Sequence, residues 1–99
     1  MPLTDQQKKF LRRLGHPLKP IVIVGRQGLT ANVVTELGRA LHDHELVKVR
    51  ARVGKREARD AVLAELARAS ASELVFQIGN VGLFYKKNNK LNKILLPDS

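Results

Sequence analysis

Two glycines separated by two residues form the segment of this sequence with the clearest chemical use. Gly25–Gly28 follows an apolar run, and a helical pattern begins directly after it. The first amides of a helix are unpaired and its dipole attracts anions, so this junction could bind a phosphate. Glycines also let a phosphate-bearing backbone approach without a clash against a Cβ atom. The alternative is that Gly25–Gly28 is only a tight turn.

Basic side chains elsewhere in the chain could add phosphate contacts. Lys48, Arg50 and Arg52 alternate with apolar residues, which places all three on one face of a predicted strand. No acidic residue lies between them, although an ordinary solvated strand face would have the same pattern. Lys19, shortly before the glycines, is a similar candidate.

The glycine patterns do not predict a nucleotide cofactor. Gly28 is followed by Leu29 and not by Lys and Ser or Thr, so Gly25–Gly28 is not a nucleoside-triphosphate loop. Gly79–Gly82 has the same spacing but lies between two predicted strands, where a hairpin turn is expected.

Metal and catalytic sites are not predicted either. His42 and His44 would diverge at the end of a helix, and no further ligands accompany them. Three carboxylates of a later helical segment alternate with arginines and are interpreted as surface ion pairs: Glu57, Asp60 and Glu65. We therefore predict a protein that is not an enzyme and that uses no metal, cofactor or small-molecule substrate.

The composition indicates one small folded domain with an anionic partner. The 99 residues carry 18 Lys and Arg against 9 Asp and Glu, a formal net charge of +9, and such an excess favours a polyanion as partner. A hydrophobic content of 43% separates the chain from disordered basic tails. Because there is no cysteine, disulfides, thiolate metal sites and cysteine nucleophiles are excluded.

Neither a membrane nor a secretory route is indicated. The first residues lack the basic and apolar regions of a secretory signal. No window approaches the roughly 18 apolar residues that span a bilayer. We expect a soluble, cytoplasmic monomer without a membrane partner.

Hydrophobic periodicity predicts the element order αβαβαββ. A capping box at Thr4 begins the first helix, which ends at Gly15. The unbroken apolar run Ile21–Val24 predicts a strand that is buried on both faces. Thr30 is the expected N-cap of the second helix, which reaches about Asp43.

The second half of the chain predicts a strand, a helix and a hairpin. The alternating segment forms the strand, from Leu46 to Val53. Residues 74–78 and 81–85 form two antiparallel strands joined at Gly79–Asn80. The helix between these segments is expected to bury a face of small and aliphatic residues: Ala58, Ala61, Val62, Leu66 and Ala69.

Together the elements predict an α/β fold, a two-layer-type sandwich around a mixed four-stranded sheet. One domain covers residues 1–99, with a core of about residues 4–86. Residues 87–99 form a basic C-terminal extension, since no acidic residue lies between Leu74 and Pro97.

Aromatic residues are too few for a surface that binds mainly by base stacking. Their share of the sequence is 4%, with Phe76 at an apolar position of its strand and Tyr85 at a position that could be exposed. Proteins that stack single-stranded bases usually place aromatics on an exposed strand face. Contacts from amides, Lys and Arg to structured RNA fit this sequence better.

Segments spread over the first half of the chain resemble a known family. His16–Pro20, Ile21–Val24, Gly25–Thr30 and His44–Val49, in this order, resemble the bacterial YhbY-type, stand-alone form of the CRM domain, the chloroplast RNA splicing and ribosome maturation domain. The similarity extends over about residues 4–97. It implies a fold like the C-terminal domain of the third translation initiation factor, RNA binding and, for bacterial members, association with precursors of the large ribosomal subunit.

The resemblance also implies site residues. Gly25–Gly28 matches the family's RNA-contacting loop, and Lys19, Lys48 and Arg50 match basic positions that flank it. The chain departs from the pattern after the last strand, where it has Lys86–Asn89 and the family tends to have an Arg-Pro pair.

We therefore expect an RNA-binding protein that docks on structured ribosomal RNA and assists assembly of the large ribosomal subunit. Arg26 would contact a phosphate and Gln27 a sugar or base. The expected RNA-contacting residues are Lys19, Gly25, Arg26, Gln27, Gly28, Lys48, Arg50 and Arg52. The alternatives are a protein-interaction module of a ribonucleoprotein assembly and a non-specific binder of DNA or anionic membranes.

Overall fold

A computed structural model describes residues 3–98 and contains the predicted order of elements. The helices are α1 (Asp5–Gly15), α2 (Ala31–His44) and α3 (Arg56–Ala69). The strands are β1 (Val22–Val24), β2 (Leu46–Ala51), β3 (Glu73–Ile78) and β4 (Val81–Tyr85). Among the residues described, no helix is both long enough and apolar enough to cross a membrane.

The four strands form one mixed sheet in the order β1-β2-β4-β3, which confirms the predicted α/β class. β1 runs parallel to β2, with Val22 opposite Val49 and Val24 opposite Ala51. β4 lies between β2 and β3 and is antiparallel to both. β1 therefore lies at one edge of the sheet and has no strand on its outer side within residues 3–98.

Helices lie on both faces of the sheet. α2 and α3 cover one face, where Leu37, Leu41, Leu63 and Leu66 pack with Phe84 and the inward valines of β1 and β2. α1 packs against β2, β3 and β4 on the other face and buries Leu11 there. The sandwich thus has a partial third layer, because α1 covers only part of the second face.

Local signals place the starts of two helices where the sequence predicts them. The Thr4 hydroxyl accepts a hydrogen bond from the amide of Gln7 (3.1 Å), and the Gln7 side chain accepts one from the amide of Thr4 (3.0 Å). The Thr30 hydroxyl accepts from the amide of Val33 (3.2 Å). Both N-cap predictions are confirmed.

The prediction that β1 is buried on both faces is wrong. Val22 and Val24 are buried under α2, but Ile21 and Ile23 are 56% and 45% exposed on the opposite face. The reason is that α1 packs on β2, β3 and β4 and leaves that face of the edge strand uncovered.

Two further expectations about buried residues need correction. α3 buries Leu63, Leu66 and Ala67, whereas Ala58, Ala61 and Ala69 are exposed. Alanines lie on several sides of this helix, so the large side chain of Leu63, which gains more from burial, decides which side faces the core.

Tyr85 lies in the core between α1 and the sheet, 4% exposed, so the expectation that it could be exposed is also wrong. Phe76 is half-buried against the same cluster, with the Arg12 guanidinium 3.9 Å from the centre of its ring. Neither ring is therefore freely available for stacking on a base.

The segment after β4 folds back along the molecule and is held by Glu45. The Glu45 carboxylate is buried and accepts hydrogen bonds from the amides of Asn88 (2.7 Å), Lys93 (2.8 Å) and Ile94 (2.8 Å). Burial by itself would raise the pKa of Glu45, but these donors and the nearby Lys87 ammonium together lower it. The C-terminal segment is thus fixed to the junction between α2 and β2.

Candidate nucleic-acid interface

The glycine loop, Gly25–Gly28, connects the end of β1 to the N-terminus of α2. The amide of Gly28 donates a hydrogen bond to the carbonyl of Gly25 (2.9 Å), which closes a tight turn. Arg26 and Gln27, at its tip, are exposed. The turn therefore presents both side chains beside the first turn of α2.

The two glycines differ in what the fold demands of them. Gly28 has a φ of +76°, where a side chain is strained, so the turn itself explains this glycine. Gly25 does not have a positive φ, and a Cβ atom at this position would meet no heavy atom within 4 Å. Within the described structure, neither backbone conformation nor crowding requires a glycine at position 25.

The N-terminus of α2 can donate hydrogen bonds to an anion. Thr30 satisfies the amide of Val33 and its carbonyl accepts from the amide of Val34 (3.1 Å). The amides of Ala31 and Asn32 precede the helical hydrogen-bond pattern and point out of its first turn. Because that turn contains no acidic residue, no carboxylate of α2 competes with a ligand there.

The register of the sheet places the basic residues of β2 in a line that leads away from the glycine loop. The amide of Arg52, the first residue after β2, donates to the carbonyl of Val24 (2.7 Å), so Arg52 lies beside Gly25. Arg50 is opposite Ile23, on the face that α1 leaves uncovered. β2 ends at Ala51, two residues before the predicted end at Val53. The reason is that its partner β1 ends at Val24, which is paired with Ala51.

Lys48 and Lys19 lie at the far end of this line. The carbonyl of Lys48 accepts from the amide of Ile21 (3.1 Å), and both lysines border the same groove beside α1. A strand rises about 3.3 Å per residue, so Lys48 is about 13 Å from Arg52 along β2. The structure therefore brings Arg26 and Arg52 to the loop and separates Lys19 and Lys48 from it.

Lys48 differs from Lys19, Arg26, Arg50 and Arg52 because, among the residues described, its side chain has a hydrogen-bond partner. Its Nζ atom donates to the carbonyl of His16 (3.2 Å) at the C-cap of α1. Cations are favoured at a helix C-terminus, so this contact fixes the position of Lys48 between α1 and the sheet. Lys48 can thus contribute a positive potential with less freedom to follow a ligand than Arg26 has.

No carboxylate neutralises the basic residues of this surface within residues 3–98. The ion pairs within these residues join Arg68 to Glu65 and Arg59 to Asp60, outside this surface. Lys19, Arg26, Arg50 and Arg52 thus keep their charge for an external anion. In the same part of the chain no His, Asp and Glu side chains come together in a group that could hold a metal ion.

Sequence reasoning missed two features near this surface. The exposed isoleucines of β1 were expected in the core, because a strand of apolar residues gives no sign of which face is covered. Glu45 had no recognisable motif, since its amide partners are 43 to 49 residues away in the chain.

Comparisons with known proteins agree on one family. A model of the CRS1 / YhbY (CRM) domain matches residues 3–86. A probable RNA-binding protein of Pseudomonas aeruginosa is 50% identical over 95 residues, which are 96% of this chain and 91% of the relative. The probable RNA-binding protein YqeI of Bacillus subtilis is 38% identical over 95 residues, 96% of this chain and 99% of the relative.

The fold also matches a solved structure. The solution structure of a hypothetical protein from Staphylococcus aureus has a TM-score of 0.84 and 31% sequence identity, and the match covers 97% of this chain and 100% of that chain. The arrangement of three helices around the mixed sheet is therefore shared by a protein of known structure.

Proposed function

We propose an RNA-binding function for this chain, which belongs to the CRS1 / YhbY (CRM) domain family. Relatives that match nearly its whole length are named as probable RNA-binding proteins. The observation that carries the site is Gly25, a glycine that the fold does not require, at the end of β1 and directly before an open helix N-terminus. RNA would meet the protein at this loop.

In this proposal the glycine loop binds the sugar–phosphate backbone. The amides of Ala31 and Asn32 and the dipole of α2 attract a phosphate. Arg26 adds a charge-assisted contact to a phosphate and Gln27 a contact to a sugar or base. Gly25 lets the RNA backbone come close to the main chain because it has no Cβ atom.

The basic residues along β2 would extend the contact beyond the loop. Arg52 and Arg50 continue from the loop along the uncovered sheet face, and Lys48 and Lys19 lie at its far end. Because these contacts go mainly to phosphates, they position RNA by shape and charge more than by sequence.

The partner we propose is structured ribosomal RNA in precursors of the large ribosomal subunit, so the protein would assist assembly of that subunit. This proposal follows from the family, whose bacterial members resemble this chain over nearly its whole length. We further propose that the protein acts in the cytoplasm as a monomer and is not an enzyme. The whole chain would form a single RNA-binding domain, in which the basic residues 87–99 extend the core.

Crosslinking in cells tests both the partner and the loop. Ultraviolet crosslinking followed by sequencing of the attached RNA is carried out with the wild type and with Arg26→Glu. Lys90→Glu is the matched control, because Lys90 is exposed and lies far from the glycine loop. Lys90 is beside His42 near the C-terminus of α2, whereas the loop precedes the N-terminus of this helix, whose 14 residues span about 21 Å.

The proposal expects reads concentrated on one region of large-subunit RNA precursors, lost in Arg26→Glu and retained in Lys90→Glu. Reads scattered over all abundant RNAs and equal in the three proteins would contradict it and favour a non-specific binder of anionic polymers. A protein that crosslinks to no RNA but copurifies with a ribosomal protein would favour a protein-interaction module.

A further inference from the structure

The basic residues that lead away from the glycine loop, Arg52, Arg50, Lys48 and Lys19, form what we call the basic line. An apolar groove of about 690 Å³ lies next to its far end, at Lys48 and Lys19. We call it the α1–β1 groove. One wall is α1 with the connector that follows it, the floor is Ile21, directly before β1, with the start of β2, and the other wall is residues 93–95. Four aliphatic side chains of the groove are at least 39% exposed: Leu14, Leu18, Ile21 and Leu95.

This concentration of exposed aliphatic side chains indicates an interaction site. Single exposed apolar residues are normal on protein surfaces, but contiguous apolar surface with a polar rim marks an interaction site. Here the apolar side chains come from α1, the connector between α1 and β1, the start of β2 and the C-terminal segment, and they meet in one concave surface. The groove is thus a feature of the tertiary structure and not of one segment.

The rim of the groove has a positive charge. Lys19, Lys48 and Lys93 border it together with His44, and no Asp or Glu is among its lining residues. A partner that fills the groove would gain from carboxylates placed at its ends, because opposite charges across an interface favour association.

The chemistry of the lining favours a protein segment over RNA bases. Unpaired bases are recognised by stacking on aromatic rings and by hydrogen bonds to their polar edges. Phe10 is the aromatic residue of the lining and is half-buried, and most of the other apolar contacts are to Leu and Ile. A base edge placed against these side chains would lose hydrogen bonds to water without replacement.

Two hydrogen-bonded contacts form the groove before any partner arrives. The Glu45 carboxylate holds the amides of Lys93 and Ile94, both at 2.8 Å, and so fixes the C-terminal wall. Lys48 bonds the carbonyl of His16 and so fixes the end of α1 against the floor. A preformed groove lowers the ordering cost of binding.

We propose that the α1–β1 groove docks a short amphipathic segment of a partner protein, with bulky aliphatic or aromatic side chains in the groove and Asp or Glu at the rim. This binding goes beyond RNA binding and uses a different surface from the glycine loop. Lys19 and Lys48 border both surfaces, so a bound segment would cover the far end of the RNA contact and leave Gly25–Gly28 open.

The test uses a library of random 16-residue peptides displayed on phage, selected against the full chain. Selected peptides are synthesised and their affinities are measured by fluorescence anisotropy. Leu18→Asp and Ile21→Asp introduce a charge into the groove at two exposed positions, so that one variant remains informative if the other is poorly folded. Ile78→Asp is the matched control, because Ile78 is 67% exposed and lies on β3, outside the groove.

The proposal expects acidic peptides with two or more bulky apolar residues. These should bind about tenfold more weakly to both groove variants, with unchanged affinity for Ile78→Asp. Gly25→Asp should also retain peptide binding, so that a failure of the RNA proposal is distinguishable from a failure of this one.

Other results overturn the proposal. These are a selection without such peptides, or peptides whose affinity is the same for the wild type and Ile21→Asp. A single-stranded oligonucleotide whose binding is abolished by both groove variants but not by Ile78→Asp would show that the groove belongs to the RNA site. Dimerisation in sedimentation experiments that Ile21→Asp abolishes would show that a second copy of the chain fills it.

Discussion

Gly25 and Gly28 belong to the same pattern of two glycines separated by two residues, but the structure places different demands on the two positions. Gly28 adopts a φ of +76°, whereas Gly25 does not have a positive φ and has open space where a Cβ atom would be. The spacing alone left a tight turn and a phosphate loop as alternatives. The backbone conformation of the turn explains Gly28 and does not explain Gly25.

This difference predicts unequal effects on stability. Gly28→Ala should lower the free energy of unfolding by about 1 kcal/mol, because a side chain at a positive φ is strained. Gly25→Ala should change it by less than about 0.5 kcal/mol, the usual range for exposed positions. Urea unfolding of both variants measures the two values, and an equal loss would contradict the distinction.

Tyr85 provides a second prediction for a single residue. Its hydroxyl is buried without a hydrogen-bond partner among the described residues. Burial, together with the charge of Glu45, raises the pKa of Tyr85. A buried hydroxyl without a partner loses its bonds to water, so Tyr85→Phe should be neutral or stabilise the fold by up to about 1 kcal/mol. Thermal unfolding tests this, and a clear loss of stability would show that the hydroxyl has a partner.

At the level of elements, the sequence predicts what is decided locally. The capping residues Thr4 and Thr30 and the Gly79–Asn80 hairpin depend on neighbours a few residues away, and the structure has all three. The insertion of β4 between β2 and β3 depends on contacts across the whole chain. The exposed face of β1 likewise follows from where α1 packs, which no pattern within β1 can indicate.

The position of the C-terminal segment is fixed by Glu45, at the junction between α2 and β2, and no sequence motif indicates this contact. Glu45 joins α2 to β2 with a φ of 64°, a strained conformation for a residue that is not glycine. Its carboxylate is held by three amides of the C-terminal segment. The contacts that fix residues 88–94 therefore compensate for strain at this junction.

Glu45→Gln should destabilise the protein by about 2 kcal/mol at neutral pH, because an amide cannot accept hydrogen bonds at both positions of the carboxylate. The folded pKa of Glu45 is lowered, so the carboxylate stabilises the fold above its unfolded pKa, and this contribution is lost as the pH falls through the folded value. The difference in the free energy of unfolding between the wild type and Glu45→Gln should therefore become smaller at acidic pH.

Urea unfolding of both proteins at neutral and acidic pH gives this difference. Asp43→Asn is the control, because Asp43 is an exposed carboxylate near the same helix end. A difference between wild type and Glu45→Gln that is the same at both pH values would contradict the role of the charged carboxylate.

For the whole molecule, the net charge of +9 makes RNA affinity dependent on salt. If about five phosphates are neutralised by the glycine loop and the basic line, the logarithm of affinity should fall with the logarithm of salt concentration at a slope of roughly −3 to −4 for single-stranded RNA. Duplex should give a steeper slope. Titrations at several salt concentrations measure it, and a slope near zero would mean that phosphate contacts do not carry the binding.

The glycine loop with the basic line, and the α1–β1 groove, differ in how far each can be predicted from the sequence. The loop and the basic line consist of glycine, lysine and arginine, whose spacing already indicates phosphate contacts, so these residues could be predicted from the sequence. The α1–β1 groove is assembled from residues that look like core in the sequence, such as Ile21 and Leu14. Only the packing of the whole molecule leaves them exposed.

The proposed binding of RNA at the glycine loop can be tested by measuring the affinities of Gly25→Asp and of the wild type for fragments of large-subunit ribosomal RNA at physiological salt. The substitution should leave the fold intact, because the position is open and has no positive φ, but it places a bulky negative group where the RNA backbone would approach. Lys90→Asp changes the charge of the chain by more and serves as the control. We expect at least about tenfold weaker binding by Gly25→Asp and a smaller effect of Lys90→Asp. Equal affinities of wild type and a well-folded Gly25→Asp would show that RNA does not bind at the glycine loop.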